Sequence, residues 1–288
     1  MIVCLNGQFL PAEEARVSIF DRGFLYGDGL FETLRLYGGR PFRWDQHVAR
    51  LTAGAQWLRL SLPVPPPLLR AWARELIRRN QATDAVLRLT LTRGVAPPGY
   101  SLPDAAPQPC LAMSLHPAPR LSAARPPRWR LVTSSLRLPP GDTLGRFKTC
   151  NKLPQILARA EAQAAGADEA LLLNTTGEVV EAAASNVFWI HDNVVATPPL
   201  ASGALAGVTR AVVRELCDEL RLPVREQATR PDALRQAAGV FLTVSTWGLI
   251  EASALDGQAL GRSPLVARLR SAYRAAVARE CGKGWPES

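Results

Sequence analysis

The chain has 288 residues, with 34 lysines and arginines against 25 aspartates and glutamates, a formal net charge of +9. At 47% hydrophobic and 20% charged it can fill the core of one large or two modest domains, which excludes a disordered or fibrous chain. No apolar run reaches the roughly 18 residues that a bilayer span needs. The start, MIVCLNGQFLPAEEARV, lacks a charged leader followed by a long apolar segment, so a cytoplasmic protein is expected, with no membrane partner.

In chain order, IVCLNG, RVSIF and LFETLRLYGGRPFRW read as strands, with Gly38-Gly39 as a hairpin turn. Helical spacing follows at about 45 to 60 and 66 to 80, then alternating strands in AVLRLTLTRGV and CLAMSLHPA. The proline-rich stretch PAPRLSAARPPRWR breaks the pattern. It places a small N-terminal α+β domain at 1–118, a linker at 119–130 and a larger domain at 131–288. In the second domain a strand at 130 to 136 leads to GRFKTCNKLPQILARAEA, where a helix is predicted from about Asn151 with Leu153, Ile156, Leu157 and Ala160 on its apolar face. Short strands around EALLLN, GEVVEAAASNVFWI and NVVATP come next, then a helix near 208 to 221, a strand at 239 to 244 and a closing helix at about 263 to 281. Segregated strands and helices of this kind argue for an α+β fold.

The chain carries its positive charge on scattered arginines, with only Lys148, Lys152 and Lys283 as lysines. Without a compact basic run, nucleic acid is not the expected partner, and a basic nucleic-acid-binding protein without cofactor is the distant alternative. Cys4, Cys110, Cys150, Cys217 and Cys281 are odd in number and far apart, with no CxxC pair, so no metal site is expected and the thiols should be reduced. His47, His116 and His191 have no ligand-like spacing and read as structural or surface residues.

Lys152 falls in the first helical turn with Gln155 and Arg159, the expected solvated side. Lys148 precedes the helix in an extended segment, where an amine can be held at a cavity wall and lose its proton by desolvation or a cationic neighbour. Glu181 sits between alternating apolar residues, where a carboxylate must be exposed, paired or functional. SGALAGVTRAVVREL runs from a glycine-bearing loop into a helix whose first amides, near Val208 and Thr209, form an anion site. Ser245 and Thr246 end a buried strand, and Arg50 on an early helix can take a phosphate. Together they describe a lysine, an acidic partner and a divided phosphate cup, the requirements of one cofactor. GFLYGDGLFET does not have the spacing of a dinucleotide fingerprint, and its glycines allow a tight turn that brings Tyr26, Phe31 and Thr33 near a cleft.

SIFDRGFLYGDGLFET, HVARL, FKTCNKLPQILARAEA, EVVEAAASNVF, AGVTR and FLTVSTWGLIEA occur in the order and spacing of the class IV pyridoxal-phosphate family, which the chain resembles over nearly its whole length. The family holds branched-chain aminotransferases, D-amino-acid aminotransferases and 4-amino-4-deoxychorismate lyases. The resemblance implies pyridoxal 5'-phosphate linked to Lys148, Glu181 on the pyridine nitrogen, and Arg50, Val208, Thr209, Ser245 and Thr246 about the phosphate. It also implies a fold-type IV architecture, with a smaller N-terminal α+β domain and a larger pseudo-barrel domain, and a homodimer.

Departures from the subfamily patterns discriminate further. The carboxylate trap of the D-amino-acid enzymes would fall at Pro98 and Tyr100, and the branched-chain enzymes' tyrosine five residues after the lysine is Leu153. GDGLFET, FKTCN and PGYSLPD resemble the lyases, although their RGY has become PGY and the asparagine near the phosphate strand is Ser245. The expected activity is therefore aminodeoxychorismate lyase, forming 4-aminobenzoate and releasing pyruvate, with Lys148, Glu181 and Thr33 catalytic. Tyr26, Phe31, Arg88 and Tyr100 would bind the substrate, with Arg88 favoured over Arg93 for its carboxylate. The alternative is a class IV aminotransferase of branched-chain L- or D-amino acids.

Overall fold

The computed structural model describes residues 1–102, 107–122 and 124–282. Pro103 and Asp104 of the PGYSLPD motif, Ala123 of the expected linker, and Lys283 lie outside the described residues. The chain divides into two compact units: Met1–Ala118 with Phe147–Asn151, and Pro119–Arg146 with Lys152–Ser288.

The first unit runs β1 (Ile2–Leu5), β2 (Gln8–Pro11), α1 (Arg22–Tyr26), β3 (Gly29–Tyr37), β4 (Arg40–Pro41), α2 (Trp44–Trp57), α3 (Pro66–Arg79), β5 (Ala85–Thr92) and β6 (Cys110–Pro117). Its strands form one antiparallel sheet in the order β2-β1-β6-β5-β3-β4. The Gly38-Gly39 turn has φ of 58° and 79° and closes the β3–β4 hairpin as expected. The core lies between one sheet face and helices α2 and α3, where Leu34, Leu36, Leu87 and Leu89 meet Leu51, Leu69 and Leu76. RVSIF, read as a strand, is irregular and leaves Val17, Ile19 and Phe20 exposed. The chain turns instead into α1, because the Asp21 carboxylate accepts from the Gly23 amide (2.7 Å) and Gly27 ends the helix in the left-handed region.

The second unit contains β7 (Arg128–Leu138), α4 (Leu153–Ala164), β8 (Glu169–Asn174), β9 (Val179–Ala182), β10 (Asn186–His191), β11 (Val194–Thr197), α5 (Val208–Glu219), β12 (Val224–Glu226), α6 (Pro231–Arg235), β13 (Gly239–Val244), β14 (Gly248–Leu255), β15 (Gln258–Ala259) and α7 (Pro264–Cys281). Its mixed sheet runs β12-β11-β10-β13-β14-β7-β8-β9, with β15 on β14. GEVVEAAASNVFWI, read as one strand, is two, because the chain turns where Ser185 accepts from and donates to Ala182. The 119–130 stretch is not all linker, since β7 begins at Arg128.

Two expectations about the lysine region are corrected. Phe147–Asn151 groups with the first unit, not with the larger domain. Helix α4 begins at Leu153 with Lys152 as its N-cap, and its faces are inverted. Leu153, Ile156 and Leu157 are 64%, 61% and 47% exposed, while Ala158 and Ala162 are buried. Small side chains let the helix lie close on β7 and β8, with Ala158 and Ala162 packed among Ala170, Leu172, Val132 and Leu136.

Candidate active site

In the first unit the lysine segment is an added edge on β3. The Phe31 amide donates to the Lys148 carbonyl (2.9 Å), the Cys150 amide donates to the Gly29 carbonyl (2.9 Å), and Leu30 pairs with Thr149. Phe147 anchors it in the apolar core, its ring 5.2 Å from that of Trp57. Backbone pairing and one half-buried aromatic thus fix the Lys148 backbone, and its side chain passes over Phe31 with Nζ 4.6 Å from the ring centroid.

Strand alternation sorts the neighbours. Phe31 and Thr33 share one face of β3, and Arg88 stands opposite Thr33 on β5. The Arg88 guanidinium lies 4.0 Å from the same Phe31 centroid, and burial lowers its pKa from the ordinary value. It has no hydrogen bond or ion pair to any described residue. Arg93, the other candidate for a substrate carboxylate, is spent on the fold: it binds both oxygens of Asp28 (2.7 and 3.0 Å) and the carbonyls of Leu58 and Arg59. Tyr26 accepts from the Gly99 amide (2.9 Å) and meets Tyr100 edge to face at 5.5 Å, but Tyr100 is 88% exposed.

The other face of β3 carries a group that sequence reasoning missed. Glu32 is buried, accepts from both Nε and Nη2 of Arg50 at 2.7 Å, and lies 2.7 Å from Nδ1 of His47. Burial alone would raise the Glu32 carboxyl, but the charge and hydrogen bonds of Arg50, helped by His47, hold it down to about 2. Burial pushes His47 below its ordinary value, so the neutral ring donates through Nδ1. Arg50 therefore presents one edge of its guanidinium to Glu32. The available signal was the spacing of His47 and Arg50, three apart on one helix face with Glu32 on the preceding strand.

In the second unit Glu181, on β9, accepts at Oε2 from the Leu205 amide (2.9 Å) and from Nδ2 of Asn186 (3.3 Å). Asn186 also donates to the Leu205 carbonyl (2.9 Å), tying Glu181 to the loop before α5. At Gly207, the N-cap of α5, a Cβ would come within 2.0 Å of Asn186 Oδ1, so only glycine allows this approach. No side chain caps α5, and the amides of Val208, Thr209 and Arg210 begin it without intrahelical acceptors. Asn186 pairs in register with Thr243, two residues before the half-buried Ser245-Thr246 turn. The buried hydroxyls of Thr243 and Ser185 have no hydrogen-bond partner. An uncapped helix start, orphaned hydroxyls and a carboxylate held by a backbone amide suit a ligand with a phosphate and a ring nitrogen. The donor set of this chain therefore fits pyridoxal phosphate. Among the described residues no cluster of histidine, cysteine or acidic groups could hold a metal ion.

The class IV amino-transferase model matches residues 29–255, and the chain belongs to this family. Its enzymes depend on pyridoxal 5'-phosphate. The chain is 35% identical to a putative branched-chain-amino-acid aminotransferase of Methanocaldococcus jannaschii over 90% of each chain. It is 32% identical to the D-alanine aminotransferase of Bacillus licheniformis over 98% of this chain and 99% of the relative. The structure of a 4-amino-4-deoxychorismate lyase from Pseudomonas aeruginosa superposes with a TM-score of 0.83 at 33% identity, covering 95% of this chain and 98% of that one. The α+β, fold-type IV expectation holds.

Proposed function

We propose that the chain acts on an amino substrate that also carries a carboxylate, with Lys148 and Glu181 serving the same cofactor. The observation that carries this reading is Arg88: a half-buried guanidinium without an anionic partner on the ring that also carries the Lys148 amine. A half-buried cation of this kind is stabilised by a carboxylate that binds with its amine toward Lys148. Pyridoxal phosphate, when bound, supplies an electron sink for charge left on the carbon bearing the substrate nitrogen. Lys148 removes the proton from that carbon and can return it elsewhere. Glu181, oriented by the Leu205 amide and Asn186, holds a proton at the pyridine nitrogen. The amides of Val208 and Thr209, with Ser245 and Thr246, take the phosphate, and Arg50 adds its positive charge.

Of the outcomes open to the family, amino transfer from an α-amino acid has the broader support, through the two aminotransferase relatives. It needs from the chain only what Lys148 and Arg88 supply. The lyase reading is favoured by GDGLFET and by Thr33, opposite Arg88, where a hydroxyl could assist the leaving enolpyruvyl oxygen. Parallel assays decide between them: amino transfer from L-leucine, L-valine and D-alanine to 2-oxoglutarate, and 4-aminobenzoate formation from aminodeoxychorismate. Transfer at the higher kcat/KM supports the first reading, and 4-aminobenzoate as the dominant product replaces it with the second.

We also propose a homodimer, because the apolar face of α4 is turned outward. A reducing, cytoplasmic setting agrees with five free cysteines, three of them buried. Among the described residues no helix is long and apolar enough to cross a membrane.

A further inference from the structure

Away from the groups described above, the second unit gathers arginines around a single carboxylate. Glu251 on β14 stands opposite Arg128 on β7, and its Oε1 accepts from Nε of Arg128 and from Nε of Arg262, each at 3.1 Å. Its Oε2 lies 4.0 Å from Nη2 of Arg270, too far for a hydrogen bond. Arg274, one turn along α7, adds its repulsion to that of Arg262 on Arg270, and burial lowers the Arg270 pKa. Like charges four residues apart on a helix oppose one another.

Three features separate this cluster from ordinary solvated arginines. One carboxylate lies within 4.0 Å of three guanidiniums, with Arg274 one turn beyond Arg270 on α7, whereas tying β7 to β14 needs only one. The Nη groups of Arg128 and Arg262, whose side chains are 37% and 70% exposed, have no partner among the described residues and remain open to a ligand. Nε and Nη2 of Arg270 are shielded from solvent with no hydrogen-bond partner, a state that costs free energy until an acceptor or counter-charge arrives.

We propose that Arg128, Arg262, Arg270 and Arg274 form a second anion site that takes a small multivalent phosphate. Guanidinium forks match phosphate oxygens two at a time, and linked phosphoryl groups can engage separate forks at once. Glu251 holds the forks in place, and the surplus of positive charge selects highly charged ligands over monoanions.

The test is isothermal titration of the cofactor-loaded enzyme with pyrophosphate at constant ionic strength, in excess pyridoxal phosphate and with visible absorbance monitored. Wild type should bind pyrophosphate without losing cofactor, and an Arg262→Ala/Arg274→Ala double variant should bind at least 10-fold more weakly with unchanged absorbance and turnover. Neither residue belongs to the cofactor or substrate group, so a folded variant is expected. Comparing tripolyphosphate with ATP identifies the source: tighter ATP binding assigns a nucleotide, and equal binding assigns the phosphate chain itself. Equal pyrophosphate affinity in wild type and double variant overturns the proposal. So does binding of a single-stranded oligonucleotide with none of pyrophosphate, which would make the cluster a nucleic-acid face.

Discussion

Glu32 is buried between His47 and Arg50, and its protonation state ties α2 to β3. A carboxyl held at about 2 when folded, against an ordinary value of 4.5, stabilises the fold fully above 4.5 and loses that contribution as pH falls toward 2. The shift corresponds to something on the order of 3 kcal/mol. Glu32→Gln should therefore be less stable than wild type at pH 7, and urea midpoints should show the gap shrinking between pH 4.5 and 3. A constant gap would mean that the ion pair with Arg50 is not what the carboxylate supplies. Arg88 makes the complementary prediction for function. Arg88→Gln should raise KM for amino acids and lower kcat/KM roughly 10- to 100-fold, the loss of a charge-assisted pair worth about 1.5 to 3 kcal/mol. Steady-state assays should show the variant and wild type alike on an amine without a carboxylate. Arg88 was legible as a candidate beside Arg93, but only the structure distinguishes a guanidinium spent on Asp28 from one with no partner.

At the scale of elements, α4 shows where periodicity misleads. Leu153, Ile156 and Leu157 do form one helical face, as their spacing requires, but within one chain the buried face is Ala158 and Ala162. An apolar stripe announces burial without naming the partner, and here the small-residue face takes the sheet. If the outward face meets a second copy, Ile156→Asp should weaken the dimer about 100-fold, because an unpaired buried charge costs roughly 3 kcal/mol or more. Light scattering after gel filtration should report a folded monomer. A dimer of unchanged affinity would remove α4 from the interface. The β3–β4 hairpin, α2, α3, β13 and α7 were legible because glycine pairs, prolines and long periodic runs mark them locally. Strands β2, β12 and β15 were not, since runs of two to four residues exist only through their partners.

For the whole molecule, the sequence brought together residues that no single element explains. Lys148, Glu181 and the glycine before α5 are each ordinary alone, and it is the resemblance to the class IV family that implies a shared role for them. The Glu32–His47–Arg50 group was hidden because the spacing of His47 and Arg50 on α2 does not name Glu32 as their partner, and His47 looked like any structural histidine. The central claim is that Lys148 is the residue that carries pyridoxal phosphate. Borohydride reduction of the cofactor-loaded protein, followed by peptide mass mapping, tests it directly. The protein should be yellow, lose its visible band on reduction and carry one phosphopyridoxyl group on Lys148. A modified Lys152, or a colourless protein with no modified lysine after incubation with the cofactor, would contradict it.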